Sequence, residues 1–158
     1  MLLIRDAHEL MEAFRPRDLR IFELPDEDVF PLLVRDYRSW VESGGNRVYL
    51  VYEEPATGKA RGVVFRRSDA GLPGQMGHMC DFCFSTGSAD EIGLLTADES
   101  ARRRVGVVVC RDLRCRERVE EAADLAGRNA AEARRRVLER IARFADEALG
   151  IGKRAAGR

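Results

Sequence analysis

The four cysteines of this 158-residue chain fall in two close pairs, Cys80 with Cys83 (C-x₂-C) and Cys110 with Cys115 (C-x₄-C). Two thiol pairs separated by about 26 residues can set four sulfurs tetrahedrally around one ion at about 2.3 Å, as a structural zinc site requires. Disulfides and unrelated free thiols are the competing readings. The opening Met1-Leu-Leu-Ile-Arg5-Asp6 has few apolar residues before charge intervenes, so it reads as neither a secretory h-region nor a membrane span and points to the cytoplasm. Thiols stay reduced there, which favours metal over disulfide, and the expected cofactor is Zn²⁺.

A catalytic zinc keeps one coordination position open for water, usually beside a carboxylate or histidine that moves protons. Four cysteines would close all four positions. His78, two residues before Cys80, would strain the turn as a ligand and reads as a neighbour of the site; His8 is the only other histidine. No H-x-E precedes a P-C-x-x-C, and there is no Walker A, G-x-S-x-G or G-x-G-x-x-G sequence. The consecutive carboxylates Asp26, Glu27 and Asp28 read as dipole partners at a helix start. The expectation is a protein that is not an enzyme, with no small-molecule substrate and no membrane partner.

Formal charge is zero overall, yet residues 1–97 carry net −5 and residues 98–158 net +5. Four thiolates on Zn²⁺ leave −2, which Arg104, Arg111, Arg114 and Arg116 lie close enough in sequence to offset. Of the 27 basic residues only Lys59 and Lys153 are lysine, as easily a coding bias as a functional choice.

The elements that must position the cysteines follow from periodicity. The fold class is α+β, with a helical N-terminal part, a small antiparallel β element, a treble-clef zinc finger and a C-terminal helix. Ala7 to Phe14 reads as a short helix ended by Arg15-Pro16, and a second helix is expected from about Pro25 to Gly44-Gly45, with Pro31 in its first turn. Residues 47–52 and 62–65 form an expected hairpin, and Ser68 to Gly77 a loop. Strands at 91–96 and 104–109 follow, the second delivering Cys110. Asp112 is read as N-cap or first-turn residue of a helix carrying Cys115. A last helix over about 129–149 aligns Val137, Ile141, Phe144 and Ala148, with its arginines solvated through Glu132–Arg136 and Glu139–Arg143 pairs. The expected divisions are an N-terminal lobe (1–67), a zinc-binding lobe (68–150) and a frayed tail (151–158). Ordering the cysteine segment costs several times what one zinc ion contributes, so Ile92, Leu94, Val105, Val107, Val109, Leu113 and Val119 must also bury apolar area.

His78-Met-Cys-Asp-Phe-Cys83 and Arg104-Val-Gly-Val-Val-Val-Cys110-Arg-Asp-Leu-Arg-Cys115 resemble the signature of the FusB-type elongation factor G-binding proteins, the FBP C-terminal treble-clef zinc-finger family, in its short actinobacterial form. The resemblance is sharp over 78–119 and loose elsewhere. It implies Zn²⁺ held by Cys80, Cys83, Cys110 and Cys115, and a partner, elongation factor G, which the family's fusidic acid resistance proteins help to free from a stalled ribosome. Phe82, between two ligands, and Arg102, Arg103 and Arg104, at the hairpin turn, are the candidate partner contacts. Phe82 packing on the hairpin and the arginines forming a polar loop are the alternatives. A second functional reading is RNA or ribosome binding through the basic C-terminal half, and a third is a redox sensor that releases zinc on oxidation.

Overall fold

The computed structural model describes residues 1–26, 29–68 and 77–152. β1 (Leu2–Ile4) leads into α1 (Ala7–Glu12), whose N-cap Asp6 accepts from the Glu9 N–H at 2.9 Å and whose buried residue is Leu10. A 3-10 turn follows at Asp18–Ile21. The helix expected from Pro25 to Gly45 does not form. In its place stand β2 (Leu32–Val34), antiparallel to β1, and β3 (Tyr37–Val41). The burial period decides the matter: Leu32 and Val34 are buried while Leu33 between them is exposed, an alternation of two. Gly44-Gly45, read as a helix end, instead turns β3 back into β4 (Arg47–Glu53), with Gly45 at φ 75°. Pro31 precedes β2 and lies in no helix; the Asp26 carbonyl accepts from the Val29 N–H at 3.1 Å, and Glu27 and Asp28 lie outside the described residues.

β4 and β5 (Ala60–Arg67) form the expected hairpin. Beyond the Ser68–Gly77 segment, mostly outside the described residues, β6 (His78–Met79) and β7 (Thr86–Gly87) make a two-stranded ribbon. β8 (Ile92–Asp98) and β9 (Arg104–Cys110) form the second hairpin. The β element is larger than expected: one antiparallel sheet in the order β3-β4-β5-β8-β9. β5 meets β8 only where Arg66 faces Thr96 and Arg67 faces Leu95, so the sheet opens away from that join. It also runs across the expected lobe boundary at 67/68.

Both faces of the central strands are covered, which is why Val48 to Tyr52 read as a continuous apolar run. Tyr49, Val51 and Val64 face Ile4, Leu10, Phe14, Leu32 and Val34. Gly62 makes room there, since a Cβ at that position would lie 2.6 Å from the Phe14 ring. Val48, Leu50, Tyr52, Val63 and Phe65 face the cysteines and the last helix.

α2 (Cys115–Leu125) and α3 (Ala130–Leu149) are the last elements among the described residues, Asn129 capping α3 by accepting from the Ala131 and Glu132 N–H groups at 3.0 and 3.3 Å. Arg114, not Asp112, precedes α2; Asp112 Oδ1 accepts from the Arg114 N–H at 3.0 Å, so Asp112 falls ahead of the N-cap position and outside the helix. α3 buries Val137, Leu138, Ile141, Ala145 and Leu149. The chain then reverses at Gly150 (φ 68°), and Ile151 donates its N–H to Ala145 O at 2.8 Å and buries its side chain. Residues 151 and 152, expected in a frayed tail, are therefore buried, while residues 153–158 lie outside the described residues. Among the described residues no helix is long and apolar enough to cross a membrane.

Candidate metal centre

The first cysteine pair sits in a turn and the second at the junction of a strand and a helix. Cys80 and Cys83 occupy the turn between β6 and β7, Cys110 ends β9, and Cys115 begins α2. The turn is closed by Cys80 N–H to Ser85 O (2.9 Å) and Phe84 N–H to Cys80 O (2.8 Å), and tied to β9 by Asp81 N–H to Val108 O (2.8 Å). Three backbone N–H groups, of Phe82, Cys83 and Cys110, converge on Cys80 Sγ at 3.4 Å each, donors suited to a thiolate.

The four sulfurs are buried and all lie within 4.8 Å of one another, with Cys80 to Cys115 at 3.7 Å and Cys83 to Cys110 at 3.6 Å. Tetrahedral Zn–S bonds of about 2.3 Å place sulfurs about 3.8 Å apart. The donor set and its spacing thus suit one zinc ion. Without a cation the thiols divide into acceptors and donors. Hydrogen bonds from Cys110 and then Cys115 push Cys80 down to about 7 and hold Cys83 well below the usual thiol range. Contacts with Cys110, Cys80 and Cys83, and then burial, drive Cys115 up. A divalent ion replaces the shared protons.

The second cysteine pair is gripped by strands from the N-terminal half. The Tyr37 hydroxyl, buried on β3, donates to Leu113 O at 2.9 Å and accepts from the Arg116 N–H at 2.6 Å. Burial, and after it the Cys115 charge, keeps this phenol far above its ordinary range. Ser39 Oγ donates to Asp112 O (3.2 Å), Arg67 Nε and Nη2 to Arg111 O (3.2 and 3.0 Å), and Arg116 Nη1 to Arg35 O (2.8 Å). Leu113, at φ 56° and buried, makes the sharp bend between strand and helix.

None of the arginines expected to balance the thiolates does so most directly. Arg104 pairs with Asp98 (3.1 Å), Arg114 with Glu117 (4.0 Å), Arg116 binds carbonyls, and the Arg111 stem packs on Gly93. Arg118 takes that place: burial pulls its pKa down, but Cys110, Asp112 and Cys115 outweigh burial and raise it. The signal was present in its spacing, three residues after Cys115 on the same helix face.

His78 stands on β6 with its Nε2 buried and unpartnered, outside the four-sulfur group. Phe82 is only 2% exposed and meets Phe144 edge-on at 5.9 Å, so burial removes it from the surface contacts. The exposed aromatic is Phe84 (52%), held at φ 62° with the Arg140 guanidinium 3.8 Å over its ring. Arg140 also donates to Phe82 O at 2.8 Å. A groove of about 800 Å³ runs from Phe84 between the cysteine turn and α2–α3, past Val119, Arg128 and Arg136. Arg102, Arg103 and Arg104 are exposed at the β8–β9 turn, away from this groove.

Arg135, Arg136 and Arg143 of α3 are exposed, as a solvated face requires, whereas Arg134 is not. Arg136 does pair with Glu132 (2.8 Å), but Glu139 pairs with Arg135 (3.8 Å), and Arg134, 11% exposed, bridges Asp36 (3.2 Å) and Glu120 (2.9 Å).

The sequence matches the FBP C-terminal treble-clef zinc-finger model over residues 8–153. No curated protein matches it. Among solved structures it is similar to the fusidic acid resistance protein FusC, at 20% identity and a TM-score of 0.47, over 68% of this chain and 47% of that one. The chain thus spans about half the length of that protein. A closed cluster of four cysteines in a treble-clef zinc-finger match identifies the ion as Zn²⁺.

Proposed function

The chain belongs to the FBP C-terminal treble-clef zinc-finger family, and from that premise we propose that it is a non-enzymatic docking protein for elongation factor G that promotes the factor's release from the ribosome. Cys80, Cys83, Cys110 and Cys115 are the zinc ligands of this reading. With sulfur in all four positions the ion has no site for water and serves to shape the turn that carries Phe84.

The observation that favours docking is Phe84 itself. An aromatic ring half exposed, fixed by a left-handed backbone and by Arg140, and set at the mouth of a groove is a preorganised anchor of the kind that dominates protein interfaces. The contact surface of this proposal is therefore the cysteine turn and the α2–α3 groove. The cytoplasm is the compartment it requires.

A calorimetric titration of zinc-loaded protein with elongation factor G of the same organism tests it. One-to-one binding is expected, with Phe84→Ala weakening it about tenfold or more, near 1.4 kcal/mol, while zinc content and melting stay unchanged. Cys110→Ser should lower bound zinc below one equivalent. Absence of binding, or a Phe84→Ala protein that binds as well as the parent, would refute the docking surface; full zinc occupancy in Cys110→Ser would refute the ligand set.

A further inference from the structure

At the opposite end of β9 from Cys110, six steps of about 3.4 Å away and so roughly 20 Å from the metal, lies a second concave site. Its cavity of about 440 Å³ is lined by Arg17, just before the 3-10 turn, Arg20 within it, Arg66 of β5, Arg102 and Arg103 of the β8–β9 turn, and Arg104 at the start of β9. Asp98 is the one carboxylate in the lining, and it is already shared by Arg66 (3.4 Å) and Arg104 (3.1 Å). Among the described residues Arg17, Arg20, Arg102 and Arg103 form no ion pair. A chain with no net charge thus concentrates six guanidiniums against one carboxylate. A coding bias toward arginine explains their type and not their convergence, since on α3 Arg134, Arg135 and Arg136 are all paired.

The walls are held in place. Arg15, bonded to buried Asp18 at 2.9 Å, also donates to the carbonyls of Asp98 and Glu99, pinning the 3-10 turn to the end of β8. Ser100 Oγ accepts from the Arg102 and Arg103 N–H groups at 3.3 and 3.1 Å, fixing the opposite wall. Guanidinium forks in a preset concavity match phosphate oxygens. No aromatic ring lines the site to stack a base.

We infer that this arginine pocket binds successive phosphates of an RNA backbone without reading its bases. The choice of RNA rests on the translation reading above; the recognition of phosphate stands on the pocket alone.

Fluorescence anisotropy with a labelled single-stranded 12-mer RNA over 50 to 200 mM KCl tests it. Four unpaired guanidiniums at about 0.7 each give a log-log salt slope near −2.8, about a fiftyfold loss over that range. Arg102→Gln with Arg103→Gln, and separately Arg17→Gln with Arg20→Gln, should each halve the slope, leaving about a sevenfold loss. Arg135→Gln, on α3, should leave it unchanged. No RNA binding at 50 mM KCl, or equal slopes in parent and both double variants, would overturn the inference. Elongation factor G binding is titrated on the same preparations. If it survives while the RNA response fails, the pocket assignment alone falls; if it fails while the RNA response holds, the docking proposal alone falls.

Discussion

Tyr37→Phe isolates the link between the N-terminal sheet and the metal centre. The change keeps the buried ring, which packs beneath Arg116 with the guanidinium 5.9 Å from its centre, and removes one oxygen. That oxygen serves two backbone groups at once, accepting from Arg116 N–H at 2.6 Å and donating to Leu113 O at 2.9 Å. Leaving a buried polar group unsatisfied costs about 1–3 kcal/mol, so the pair loses about 2–4 kcal/mol once partial rehydration at the α2 terminus is allowed. For a domain of this size each kcal/mol moves Tm by about 2–4 °C, which gives a fall of about 4–16 °C in a calorimetric scan. Because the two groups flank Cys115, zinc affinity measured by chelator competition should fall at least about tenfold as well. A variant melting within about 1 °C of the parent with unchanged zinc affinity would show that the strand does not hold the ligand turn.

Zinc uptake should release protons in a number set by the cluster. With Cys80 near 7, Cys83 below it and Cys110 and Cys115 above the ordinary range, the metal-free site retains about two protons above pH 7 and about three below. The depressed thiols favour the ionised site above their pKa, and that advantage is lost as pH falls through it. The logarithm of zinc affinity should thus rise by about two per pH unit above 7 and more steeply below, in chelator titrations at several pH values; a pH-independent affinity would contradict it. Ile151→Ala should destabilise the protein by about 2–4 kcal/mol in urea unfolding, since Ile151 is a buried core residue, whereas a frayed tail predicts no change.

The metal-bearing half was legible because its signals are local. Each cysteine pair, the two β-branched strands and the amphipathic last helix lie within about twenty consecutive residues, and the observed β8, β9 and α3 depart from the expected ranges by a few residues. The segment from 25 to 45 misled for a physical reason: a glycine pair whose second member takes positive φ ends helices and turns hairpins equally well, and Leu33, Tyr37, Trp40 and Val41 fit a helical stripe as well as paired strands. Only partners distant in sequence, β1 for Leu32–Val34 and β4 for Tyr37–Val41, decide between them. The same is true of side chains. Phe82 and Phe84 are alike in composition and position within the turn, and what buries one is Phe144 on α3, sixty residues on, while Arg140 covers only one face of the other.

Zinc joins four side chains, but the turn from Cys110 to Cys115 is shaped by groups that never touch the ion. Its carbonyls at Arg111, Asp112 and Leu113 are each taken by a side chain from residues 37–67, namely Arg67, Ser39 and Tyr37. A left-handed Leu113 costs free energy locally and persists because these three donors and its own burial over-determine the bend. Metal loading and the packing of the N-terminal strands therefore stabilise the same few residues. The finger is one end of a sheet that begins at Tyr37, far ahead of the first ligand Cys80, so its zinc affinity reports on the packing of the strands that precede it.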